Sequence, residues 1–151
     1  MRLVVIILLI FLFFSCGSDD KEISQTQYAI SDTILAWDTN ADSMIMKRDT
    51  TVPDSAITIT RIVNGLNEKY PEVHIDVIKQ SGDTTYIAVP DGEYLGNQMG
   101  SAGSSAWFAD AVINLTSVPG INYVSFKMDT YSHASGGVIS REEYKGWRRE
   151  R

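Results

Sequence analysis

Cys16 is the only cysteine in the chain, so whatever lies beyond it folds without a disulfide and must be held by packing. It also marks a sharp change of character. Leu3 to Phe14 is an unbroken apolar run behind Met1-Arg2, Ser15 and Gly17 are small, and Ser18-Asp19-Asp20-Lys21-Glu22 is polar and acidic. One positive charge, a short apolar run and a small residue at its end form the pattern of a secretory signal. The run is too short for a membrane span, which takes about 20 apolar residues. Residues 1–15 are therefore expected to be removed, leaving a chain long enough for one domain with a sizeable core. Three Trp, seven Tyr and five Phe in the whole chain supply large side chains, although Phe11, Phe13 and Phe14 belong to the leader.

Phe13-Phe14-Ser15-Cys16 resembles the lipobox of bacterial lipoproteins, with Phe13 where Leu is usual. That resemblance implies cleavage before Cys16 and acylation of the cysteine with chains such as palmitate. The mature protein would then be anchored to a membrane of the cell envelope and face the periplasm or the cell surface. The acidic patch after Cys16 is also similar to the surface-export signals of lipoproteins in some Gram-negative phyla. The net charge of −6 excludes nucleic acid as a partner, because phosphate backbones are bound by clustered basic surfaces. With two His and one anchored Cys, neither a transition-metal site nor a cofactor is expected.

Residues 16–32 are polar and read as a tether, and residues 33–151 as a single domain. Thr33 to Trp37 and Ser43 to Arg48 have the composition of short strands flanking a turn-rich stretch. Pro53-Asp54-Ser55 has the form of a helix start. Ile59, Ile62, Val63, Leu66 and Tyr70 then share one helical face, which Pro71 terminates. Val73, Ile75 and Val77 alternate as a strand. Ser81-Gly82-Asp83 makes a hairpin turn, and Thr84 to Val89 returns as the next strand. Gly96 to Ser105 reads as a Gly- and Ser-rich loop. A second amphipathic helix carries Phe108, Ala111, Val112 and Leu115 and stops at Val118-Pro119-Gly120. Ile121 to Met128 is the last clear strand. The order β(β)-α-β-β-α-β predicts an α+β fold, a mixed sheet with two helices on one face.

Four segments invite a chemical reading. Asp38, Asn40, Asp42 and Asp49 stand at oxygen-donor positions of a calcium loop, but Ser43 replaces the turn glycine and Thr50-Thr51-Val52-Pro53 cannot continue a helix. An ordinary Asx-rich turn accounts for them better. Gly100, Ser101, Gly103, Ser104 and Ser105 could form an anion- or partner-binding loop before a helix, though without the lysine of a phosphate loop. His133 lies in Asp129-Thr130-Tyr131-Ser132-His133, yet catalytic triads draw on separate segments, and the nucleophile-elbow motif is missing. His133 is a candidate contact in an arm, and a catalytic set is not evident. The C-terminal Lys145-Gly146-Trp147-Arg148-Arg149 is basic around one Trp, either a packed Trp with a solvated tail or a contact for acidic polymer or headgroups.

Tyr94-Leu95, Met99-Gly100-Ser101-Ala102-Gly103, Ala111 to Leu115, Val118-Pro119-Gly120-Ile121, Val124 and Phe126 together resemble a GerMN-type domain, the module of sporulation and spore-germination lipoproteins. His133-Ala134-Ser135-Gly136-Gly137 is similar to a His-Ala-x-Pro-Gly arm in envelope members, with Ser135-Gly136 where the proline would stand. The resemblance implies an α+β fold and an accessory, non-enzymatic role in the envelope, contacting an envelope protein or a cell-wall polymer. It implies no reaction. A small envelope hydrolase using His133 is the alternative.

Overall fold

The computed structural model describes residues 31–150; Cys16, the leader and most of the expected tether lie outside them. The α+β architecture expected from the sequence is present. Its main sheet has four strands in the order β3-β4-β5-β6: β3 (Asp76–Ser81), β4 (Thr84–Ala88), β5 (Tyr123–Lys127) and β6 (Gly137–Ser140). β3 and β6 are antiparallel to their neighbours, and β4 and β5 run parallel. Adjacent parallel strands need a long crossover, and α2 (Gly100–Leu115) supplies it.

The first helix, α1 (Ile59–Lys69), is capped by Thr58, whose hydroxyl accepts from the Arg61 amide, and it buries Ile62, Val63 and Leu66. It starts later than Pro53-Asp54-Ser55 suggested. Asp54–Ala56 forms a single tight turn, and Ile57 and Thr58 are extended, as β-branched residues prefer. Ile62, Leu66, Trp107, Val112, Leu115, Ile87, Val124 and Phe126 meet in one core. Trp107 and Phe126 pack there with ring centroids 5.5 Å apart, and Phe108 stands edge-on to both.

The two early strands, β1 (Trp37–Asn40) and β2 (Ile45–Arg48), form a sheet of their own with β7 (Arg148–Glu150). β1 and β2 are a hairpin, and β7 joins β2 in parallel. This small sheet covers the side of α2 that faces away from the main core, where Met46, Ala109 and Ile113 are buried with Trp37, Tyr144 and Trp147 against them. Hence α2 is covered on both sides, as a helix apolar all round must be.

Two polar residues interrupt that apolar surface. Asn114 accepts from the Trp37 amide (2.9 Å) and donates to the Trp37 carbonyl (3.0 Å). Its side-chain amide thus replaces a neighbouring strand for β1. One turn earlier Asp110, about 1% exposed, accepts from Thr39 Oγ1 (2.5 Å), Tyr70 Oη (2.5 Å) and Lys69 Nζ (2.7 Å). Burial, and then the hydrogen bond to Asp110, push the Tyr70 phenol well above its ordinary range, so it stays a donor.

Asn114→Leu keeps the branched shape but leaves two part-buried backbone groups of Trp37 without their side-chain partner, each costing about 1–3 kcal/mol. Urea unfolding is expected to show a stability loss of about 2–6 kcal/mol with an unchanged slope. At high pH a second effect is expected from Tyr144, which stacks edge-on to Trp147. Burial, and then the Glu143 charge, push its phenol up to about 12. Because the folded value lies above the unfolded value of about 10, folding favours the neutral phenol. Its contribution is complete below about pH 10 and is lost as pH rises towards 12. Tyr144→Phe should remove that part of the alkaline loss in stability measured from pH 9 to 12.

Candidate functional site

The stretch expected to be a Gly- and Ser-rich loop is helical from Gly100 onward, which corrects the placement of Gly100, Ser101, Gly103, Ser104 and Ser105. Each glycine has a local reason. Gly100 adopts φ +68°, a left-handed conformation that side chains resist. A side chain on Gly96 would run into Tyr131. Ser104 is buried and donates to the carbonyls of Leu95 (2.5 Å) and Gly100 (2.9 Å). It ties α2 to the preceding turn and is not available to a ligand. Ser101 and Ser105 remain exposed.

That preceding turn, Tyr94–Gln98, is a wide helical turn in which the Met99 amide reaches back to the Tyr94 carbonyl (3.1 Å). Such five-residue turns splay carbonyls away from the helix ladder and recur at functional sites. Here the Gly96 carbonyl accepts from the His133 amide (2.9 Å), and Asn97 Oδ1 accepts from the Ser132 amide (3.3 Å). The arm between β5 and β6 closes on itself through the Tyr131 amide and the Ala134 carbonyl (2.8 Å). It is thereby clamped over the start of α2.

Between arm and helix lies an open cleft of about 550 Å³, lined by Ser101, Phe108, Tyr131, Ser132, His133 and Ser135, with Thr130, Ala134 and Ile139. Thus the fold brings two residues singled out from sequence, Ser101 and His133, to one place although they are distant in the chain. Phe108 and Tyr131 are half-buried, while Ser132, His133 and Ser135 are exposed. A cleft of this size, with aromatic faces and several hydroxyls, suits a ligand that offers both ring faces and hydrogen-bonding groups. The aromatic contribution was hidden in sequence, because Tyr131 reaches the site through the arm's backbone bonds and not through any motif.

The His133 ring has no hydrogen-bond partner among the described residues, so no acid–His–Ser chain of hydrogen bonds is present there. The other candidates have structural duties. Asp38 and Asn40 lie on strand β1, and the segment is a hairpin instead of a helix–loop–helix. Asn40 Oδ1 accepts from the Ser43 amide (3.0 Å) to shape the turn. Asp38 faces Lys69 (3.6 Å). Asp49 accepts from the amide and hydroxyl of Thr51 (2.9 and 2.6 Å), which holds its carboxyl below the usual range. Among the described residues no three His, Cys, Asp or Glu side chains form a group able to hold a metal. Glu142 pairs with Lys145 (2.9 Å), Glu143 closes the capping box at Ser140, and His74 pairs with Asp76 (3.2 Å). Comparison with protein-family models, curated proteins and solved structures returns no match for this chain.

Proposed function

We propose that this protein is a lipid-anchored component of the bacterial cell envelope whose domain is a non-enzymatic binding or accessory module. In this reading Cys16 carries the lipid, and the Ser101–His133 cleft contacts a cell-wall polymer or an envelope protein. Among the described residues no helix is long and apolar enough to cross a membrane, so attachment would fall to the lipid. The observation that carries the binding role is the cleft itself, whose lining combines Ser101, Ser132 and Ser135 with the aromatic residues Phe108 and Tyr131. Sugar rings offer apolar faces and hydroxyl edges together, which favours the polymer over a protein partner. The GerMN-type resemblance, which implies an accessory role in the envelope, agrees with it. The alternative, a small hydrolase, needs an activated nucleophile, and the unpartnered ring of His133 speaks against one.

Two measurements test the reading. After labelling cells with an alkyne-tagged palmitate analogue, the wild-type chain should carry the label and fractionate with membranes, and Cys16→Ser should lose both. The full-length chain in non-ionic detergent should co-sediment with purified peptidoglycan. Tyr131→Ala should weaken that binding about tenfold, in line with the loss of one stacked aromatic. Unaltered sedimentation of the variant would remove the cleft from the mechanism. Release of soluble fragments that disappears with His133→Ala would establish the hydrolase instead.

A further inference from the structure

The far end of α2 carries a second cleft, separated from Ser101 by about 22 Å of helix. It measures about 380 Å³, and its lining includes Trp37, Arg48, Asp54, Ser117, Arg141 and Arg149. Three arginines converge there on a chain of net charge −6. Arg48 is fully engaged: it donates to the carbonyls of Ala36 (3.0 Å), Asp49 (2.5 Å) and Val52 (2.8 Å) and pairs with Asp54 (2.9 Å). Its charge is therefore met.

Arg141 and Arg149 differ, since neither forms an ion pair with a carboxylate among the described residues. Arg141 is held rigidly. It donates to the Ile113 carbonyl (2.6 Å) and Ser117 Oγ (2.9 Å) and lies 4.9 Å from the centre of the Trp37 ring. Its second terminal nitrogen has Met46 Sδ as its one hydrogen-bond partner among the described residues (3.6 Å), so the fork retains unspent N–H groups. Closing the C-terminus of α2 accounts for Arg141. It does not account for a second cation beside it. Burial, and then the Arg149 charge, pull the Arg141 guanidinium down to about 10, which registers the repulsion between them.

We infer that this cleft binds the phosphate group of a phosphate monoester, held between Arg141 and Arg149. The two unmet positive charges match the charge of about −1.5 to −2 on a monoester near neutral pH, whereas a carboxylate or a phosphodiester would meet only one. Guanidinium forks also suit phosphate oxygens geometrically. The inference is independent of the Ser101–His133 cleft.

Isothermal titration calorimetry on the full-length chain in non-ionic detergent, at constant ionic strength, tests it. The titrants are inorganic phosphate, glucose 6-phosphate, acetate and glycerophosphoglycerol, the last a water-soluble diester headgroup. Saturable one-site binding is expected for the first two. Acetate and the diester should bind about tenfold more weakly. Arg149 is exposed on a strand held by backbone pairing to β2, so its substitution leaves the fold intact, as circular dichroism will verify. Arg149→Ala should weaken phosphate binding about tenfold, and Arg149→Glu should abolish it. Absence of saturable heat with wild type, or undiminished binding by Arg149→Glu, overturns the site. Diester binding as tight as monoester binding overturns the monoester assignment and points to a lipid headgroup.

Discussion

The row Asp110–Asn114 on α2 is the constraint on which the rest of the molecule depends. From Ala109 to Leu115 the helix has no solvent-facing side, so every polar group in that stretch must be met by protein. Asp110 is met by α1 and its C-terminal flank through Lys69 and Tyr70, and by β1 through Thr39. Asn114 is met by the backbone of Trp37. One stripe of the helix therefore sets the position of α1, of β1 and, through the β1–β2 hairpin, of the whole small sheet. Apolar packing could tolerate sliding of these elements. Hydrogen bonds of 2.5–3.0 Å to defined atoms do not.

Two strands of the main sheet, β4 and β5, were legible in the sequence because their signals are local, whereas β3 starts only at Asp76, past Val73 and Ile75, which enter the core before it, and β6 (Gly137–Ser140) carried no strand signal. The turn at Gly82, with φ +59°, joins β3 to β4 as expected, and β5 falls within the alternating Ile121 to Met128. The small sheet was less legible. β1 lies displaced from Thr33 to Trp37, because Ile34 and Ala36 are drawn into the core as an irregular segment against α1. A side chain on Gly65 would collide with the Ile34 backbone. β7 had no signal at all: Arg148-Arg149-Glu150 has no apolar alternation, and its pairing with β2 depends on residues about a hundred positions away. Non-local backbone pairing leaves no periodicity behind.

The start of α2 shows a different failure. Gly100, Gly103, Ser104 and Ser105 are poor helix formers, and local propensity favours a loop. Tertiary contact overrides it. Ser104 spends its hydroxyl on Gly100 and Leu95, and Gly103 lets Met99 pack closely. The glycines and serines that suggested a binding loop are what let the wide turn and the arm approach the helix. A cleft does lie beside them, but it is lined by the arm and the helix flank, with Ser101 the one residue of that group among its lining.

The buried row also bears on why α2 carries a cleft near each end. Its middle is sealed by the Trp107 cluster on one side and by Met46, Ala109 and Ile113 on the other. Only where the helix leaves the two sheets can chain from elsewhere fold over it: the Tyr131–His133 arm at the beginning, Arg141 at the end. Each covering segment is fixed by hydrogen bonds to backbone carbonyls, Gly96 in one case and Ile113 in the other. Ring and hydroxyl groups are thus presented at one end and guanidinium groups at the other, on a rigid spacer. If both proposed ligands bind, this arrangement would hold two unlike groups at a fixed separation, which a single cleft could not.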